Sequence, residues 1–374
     1  MRRRTYVATV GTVALAGCGG QRGETDAEEM DETEADETDE TDSAGFQKLW
    51  EAELQDEGDS ADYHATSDAT AAYLGTVSHL TALSLDDGTE QWTRSLDESL
   101  NGVAADDDGL YTLQNRTVKR VDTGTGQSRW ETTAEGYTSG TQESFIATTD
   151  DHVAAGGADG AIVFEKESGQ QTAQLNDNGF APVRAWNGQF VTIGESGVTA
   201  YDPDGTAQWT VEDGSVSWLT PVAGSTVVGG GGKGTFGRDD GDRTFVGIDL
   251  DSGTQAWTIE ANSEFIYAKT AATDDTVFVY PGWHTADTCY ALNADTGAVR
   301  WKMDDTTISF PPVVLESAVV MPEVLSATDQ GLQAREPKTG DQIAASDEVE
   351  SFYGATGSGR TFVNYGERAI AYRL

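Results

Sequence analysis

Cysteine, histidine and lysine are scarce in this chain of 374 residues, which has 2 Cys, 4 His and only seven Lys. Two thiols, Cys18 and Cys289, exclude a disulfide framework, an iron–sulfur cluster and a four-cysteine zinc site. His64, His79, His152 and His284 lack the paired spacing of metal ligands, so no metal site is expected. The 23 Lys and Arg stand against 64 Asp and Glu, a formal net charge of −41. That excludes a nucleic-acid partner, because gripping a phosphate backbone requires clustered cations that displace counterions. No apolar run reaches the ~20 residues of a membrane-spanning helix, and no segment after residue 17 keeps a helical period.

The first forty-five residues carry an address. Arg2, Arg3 and Arg4 precede an apolar run from Tyr6 to Gly17, the pattern of a signal peptide. Arg3-Arg4-Thr5-Tyr6-Val7 resembles a twin-arginine export signal, and Leu15-Ala16-Gly17-Cys18 resembles a lipobox. Together they imply a signal peptide over 1–17 and a lipidated Cys18, with an ordinary secretory signal as the alternative. From Glu24 to Asp42, twelve of nineteen residues are acidic. Such a run repels itself and buries nothing, so 18–45 is expected to be a disordered tether.

The remaining body, 46–374, holds 52 acidic and 19 basic residues, a net charge of about −33. Molar salt shortens the Debye length to about 3 Å and would relieve that repulsion. The pattern resembles surface lipoproteins of halophilic archaea. The resemblance implies export, anchoring on the outer face of the cytoplasmic membrane, and acidity that serves solvation rather than substrate binding.

A repeat organises the body. Gly-x-x-x-Trp recurs at Gly88…Trp92, Gly126…Trp130, Gly205…Trp209, Gly253…Trp257 and Gly297…Trp301. Gly169…Ala173 and Gly340…Ala344 keep the frame with Ala in the slot, and Trp50 completes the series. The eight slots recur with a mean period of 42 residues. Each unit reads as four short strands, as in Thr276–Tyr280, Cys289–Leu292 and Val299–Lys302. Asn293-Ala294-Asp295-Thr296-Gly297 is a hairpin turn, where glycine takes the left-handed position and a polar side chain four residues earlier bonds the turn backbone. That earlier position is Ser84, Asp122, Glu165, Asp249 or Glu336 in other units.

These features predict an all-β, eight-bladed β-propeller with four antiparallel strands per blade. After Ala344 only three strands remain, so the N-terminal strand around Trp50 should close the last blade and remove both sheet edges. The run from Ala291 to Trp301 resembles the repeat of the pyrroloquinoline-quinone (PQQ)-like propeller superfamily, over nearly all of 46–374. The resemblance implies that Trp50, Trp92, Trp130, Trp209, Trp257 and Trp301 dock against the neighbouring blade. Ala173 and Ala344 should then mark weaker seams.

Quinoprotein dehydrogenases of this superfamily place PQQ on the propeller axis, with a vicinal cysteine pair and an Asp base beside calcium. This chain is much shorter and has no adjacent cysteines, so neither PQQ nor calcium is expected and no catalytic residue is assigned. Gly229-Gly230-Gly231-Gly232-Lys233-Gly234-Thr235 is not a phosphate loop, because Gly rather than Ser or Thr follows the Lys. Asn115-Arg116-Thr117 matches a glycosylation acceptor.

An aromatic usually follows each Trp slot, just before the strand expected to line the central channel. These are Tyr63, Tyr137, Phe180, Trp218, Phe265, Phe310, Phe352 and Tyr353, with His64 as a polar companion. They either form a binding surface at one channel mouth or pack between blades. By resemblance, the nearest functional analogue is the propeller lipoprotein of the bacterial outer-membrane assembly machinery. The expected function is therefore a non-catalytic, lipid-anchored extracellular scaffold or recognition module, a monomeric body that binds other cell-surface or membrane proteins. The alternatives are a small quinoprotein-type dehydrogenase with an axial cofactor, or a receptor whose aromatic mouth takes a small ligand.

Overall fold

The computed structural model describes residues 45–54, 64–76, 78–134, 145–157, 160–175, 182–194, 196–212, 216, 218–231, 244–260, 268–281, 287–306, 311–324, 330–349, 354–359, 361–365 and 368–374. Among them no helix is long and apolar enough to cross a membrane.

The described strands pair antiparallel into eight four-stranded sheets. Seven sheets each take four consecutive strands from one stretch of chain: blade 1 over 64–95, blade 2 over 100–133, blade 3 over 145–175, blade 4 over 183–211, blade 5 over 218–260, blade 6 over 268–306 and blade 7 over 313–349. The other sheet, blade 8, is composite. Gly354–Ser358, Thr361–Tyr365 and Arg368–Arg373 come from one end of the chain, and Gln47–Glu53 from the other end forms its outer strand. Equating every repeat unit with an equivalent blade therefore needs correction, because only seven blades are continuous and the remaining sheet is assembled from both ends.

Gln47 pairs with Arg373 and Trp50 with Ala371 across that closure. Phe46 and Tyr372 meet beside it with ring centroids 5.6 Å apart. On the innermost strands, the Ser67 hydroxyl donates to the Gly357 carbonyl at 2.6 Å, joining blade 1 to blade 8.

Packing follows the two-residue period of a strand. In His152–Gly157, Val153 and Ala155 pack with Tyr111 and Leu113 of blade 2, whereas Ala154 packs with Val183 and Phe190 of blade 4. Each blade is thus buried on both faces, and the core is a set of apolar layers between blades.

A β-bulge precedes each slot. Ala82 pairs with Trp92 but Leu83 with Glu90, so Gln91 is the extra residue. The same step occurs at Leu49, Arg129, Thr172, Gln208, Ala256, Arg300 and Ile343. A bulge adds twist and re-aims the side chain that follows. The residue opposite the slot is commonly small: Ala82, Ala200, Gly247 and Ala291 face Trp92, Trp209, Trp257 and Trp301. A Cβ on Gly247 would come within 2.1 Å of the Trp257 ring, so this backbone must approach the indole bare.

The indoles cross to the next blade. The Trp92 ring lies on Gly126, where a Cβ would come within 2.6 Å, and its N–H donates to the Thr123 carbonyl at 2.6 Å. Trp50 lies likewise on Gly88 and donates to Leu85, Trp130 lies on Gly169 and donates to Lys166, Trp257 lies on Gly297 and donates to Ala294, and Trp301 lies on Gly340 and donates to Pro337. Trp209 rests on Gly253. Each of these six turn glycines therefore receives the indole of the preceding blade rather than that of its own repeat; Gly205 of blade 4 meets Ala173 instead.

Candidate partner-binding face

The ring has two ends of different construction. One end carries the turns that receive the indoles. In these, Gly126 N–H donates to the Asp122 carbonyl at 2.8 Å and Thr125 N–H to Asp122 Oδ1 at 2.9 Å. Asn293 with Gly297 and Asp249 with Gly253 repeat the arrangement. The carboxyls of Asp122 and Asp249 are held below the usual carboxylate range, chiefly by Arg129 at Asp122 and by the Ser252 N–H at Asp249. The opposite end carries the first residues of the innermost strands, among them the candidates His64 and Trp218.

Tyr63, Tyr137, Phe180, Phe265, Phe310, Phe352 and Tyr353 lie outside the described residues, as does Cys18. His64 opens the innermost strand of blade 1, half-buried and paired with Gly75. Trp218 opens the innermost strand of blade 5 but is only 7% exposed. It meets the Phe245 ring edge-on at 5.9 Å and packs with Ala272 and Val277 of blade 6, so its ring sits in the seam between blades 5 and 6. Among the described residues its buried Nε1 has no hydrogen-bond acceptor. Asn115 is exposed at a hairpin tip with φ of 50°, a left-handed conformation that Asn tolerates.

The contacts of five cations, Lys166, Arg120, Arg184, Arg300 and Lys338, were not anticipated. Lys166 is buried, with Nζ 2.5 Å from Asp106 Oδ2 and 3.6 Å from Asp108 Oδ2, and it sits over the Tyr111 ring. Arg120 donates to the Lys166 and Asp108 carbonyls, tying blade 2 to blade 3. Burial, then the nearby Asp106, raises the Tyr111 phenol above its usual value. Arg184, on the innermost strand of blade 4, donates to the Thr220 and Leu219 carbonyls of blade 5 at 2.7 and 2.6 Å. Asp275 of blade 6 is bonded by Arg300 of its own blade and by Lys338 of blade 7, at 3.2 and 2.7 Å. Partial burial alone would raise the Asp275 carboxyl, but Arg300 and Lys338 outweigh it and bring it down to about 2. A signal for Lys166 existed, since the matching turn positions hold uncharged Leu85, Thr123, Leu250, Ala294 and Pro337, and a lysine there is anomalous in so acidic a chain.

The described residues do not fit a quinone–calcium centre. No group of three or more His, Cys, Asp or Glu among them could hold a metal. Asp106 is the one carboxylate on the described innermost strands, and Lys166 occupies it. Cys289 is fully buried among Tyr280, Met321 and other core residues.

A family model described as outer membrane protein assembly factor BamB matches residues 40–191 and 194–360. The chain belongs to this family of PQQ-like propellers. No curated protein matches it. Among solved structures, BamB from Moraxella catarrhalis is similar at a TM-score of 0.63 and 15% identity, covering 88% of this chain and 98% of that one. Saccharomyces cerevisiae Sqt1 is similar at a TM-score of 0.63 and 10% identity, covering 87% and 98%. Kluyvelomyces marxianus Hsv2 follows at 0.53 and 9%, covering 78% and 99%. At identities this low the likeness is one of fold alone.

Proposed function

We propose that this protein is a non-catalytic scaffold, exported and held by a lipid on Cys18 to the outer face of the cytoplasmic membrane. There its propeller binds another surface or membrane protein. The observation that carries the reading is membership, over most of the chain, of the family described as outer membrane protein assembly factor BamB. The lipobox at Cys18 and the twin arginines Arg3-Arg4 support the address, and the acidic run over 24–42 serves as the spacer between lipid and body. The loops entering the innermost strands form the contact surface, with Phe265 and Phe310 as aromatic anchors.

The test is affinity capture of the full chain from native membranes in molar salt. A stoichiometric protein partner, lost in Phe265→Ala and Phe310→Ala chains that still melt like the wild type, is expected. Capture of no partner, or capture indifferent to both loops, refutes the scaffold. A chain with Cys18→Ser, Phe265→Ala and Phe310→Ala combined that still sediments with membranes refutes the anchor.

A further inference from the structure

We propose that the ring is built as two half-rings of four blades that hinge across a single diameter. Blades 8, 1, 2 and 3 are stitched to one another by Trp50, Trp92 and Trp130, and blades 4, 5, 6 and 7 by Trp209, Trp257 and Trp301. The two seams without an indole, between blades 3 and 4 and between blades 7 and 8, lie four blades apart and therefore face each other across the ring.

Each seam lacks its indole for a different reason. At Ala173 the receiving turn is one residue shorter, and a Cβ on Gly205 would sit 3.2 Å from the Ala173 methyl. The bulge residue Thr172 takes over the hydrogen bond, its hydroxyl donating to the Pro203 carbonyl at 3.0 Å. At Ala344 there is no receiving turn at all, because in blade 8 the chain's two ends replace the connection between the third and outer strands. Phe46, Tyr372 and Leu374 pack there instead. Side-chain bridges are dense at the other seams, such as Lys166 with Asp106 between blades 2 and 3, Arg184 with Leu219 and Thr220 between blades 4 and 5, and Lys338 with Asp275 between blades 6 and 7. A methyl in place of an indole buries far less area, so the ring yields first along the line joining these two seams.

Hydrogen exchange of the full chain, read by mass spectrometry in molar salt, tests this. Gln171–Leu175 and Gln342–Val349 should exchange about tenfold faster than the equivalent strands Ser128–Thr133 and Val299–Thr306. A second measurement uses Thr172→Val, which removes one hydroxyl bridge and leaves the apolar layers intact. A hinge requires this change to speed exchange at both indole-free seams together and to spare the six others. Protection within about threefold at all eight outer strands overturns the proposal. So does a Thr172→Val effect confined to its own seam.

Discussion

Gly126→Ala perturbs one seam at one point. Gly126 has φ of +67°, and a Cβ there would come within 2.6 Å of Trp92 Cδ2 and Cε3. Gly188 supplies the internal control, with φ of +81° and nothing within 4 Å of a built Cβ. Both substitutions carry the left-handed penalty, about 1 kcal/mol after the gain from a stiffer unfolded chain. Only Gly126→Ala also displaces the indole, losing its N–H bond to Thr123 at about 1 kcal/mol and a share of its apolar contact at about 1 kcal/mol more. Urea unfolding in constant molar salt should therefore show a loss of about 3 kcal/mol for Gly126→Ala against about 1 for Gly188→Ala. In a Trp92→Ala background, Gly126→Ala should fall back to about 1 kcal/mol, because the clash has gone. Equal costs at the two glycines, or no coupling to Trp92, would refute the docking argument.

Other outcomes follow from the same contacts. Lys166→Met should cost about 3 kcal/mol in urea unfolding by stranding buried Asp106, and Lys166→Met with Asp106→Leu should recover most of that loss. Asp275 is depressed to about 2 by Arg300 and Lys338 against the burial that opposes them. The stability it lends is complete above about pH 4, the value in the unfolded chain, and fades as pH falls toward 2. Being about one-third exposed, it should contribute no more than about 1 kcal/mol, so Asp275→Asn should lower the neutral-pH melting point slightly and flatten its acid limb between pH 4 and 2. Removing 46–53 deletes the outer strand of blade 8 and bares an edge, and loss of the single melting transition together with concentration-dependent aggregation in light scattering is expected. Raising KCl from about 0.1 M to molar levels should raise the melting temperature by screening a body charge of about −33.

Turn chemistry was readable before any coordinates. The expected side-chain bonds to the turn backbone form at Ser84, Asp122, Asp249, Asn293 and Glu336, while Glu165 accepts from the Ser168 hydroxyl instead. At all six positions the carbonyl also accepts the N–H of the glycine four residues on. The shorter fourth unit accepts from Gly205 three residues on. The bulge before each slot was not read, although the small residue ten positions upstream of three tryptophans, Ala82 for Trp92, Gly247 for Trp257 and Ala291 for Trp301, was a usable trace of it. The place of Trp218 was also open, since an aromatic ahead of an innermost strand can face the channel or the seam with the same one-dimensional pattern. It meets Phe245 of its own blade, and Ala272 and Val277 of blade 6 close over it to complete its burial.

Strand lengths, hairpin turns and the positions of the indole slots are local properties, fixed by neighbours within a few residues in the chain. They could therefore be deduced from residue order alone. Which glycine receives which indole depends on how far one blade is rotated from the next, a relation between residues 34 to 44 apart that no local preference encodes. Ala344 shows the difference most clearly. It looks like a decayed repeat, yet its small side chain answers to a turn that blade 8 cannot have, because the two chain ends meet there. Lys166 is the same case in electrostatic form, a surface residue by composition that ring closure buries against Asp106.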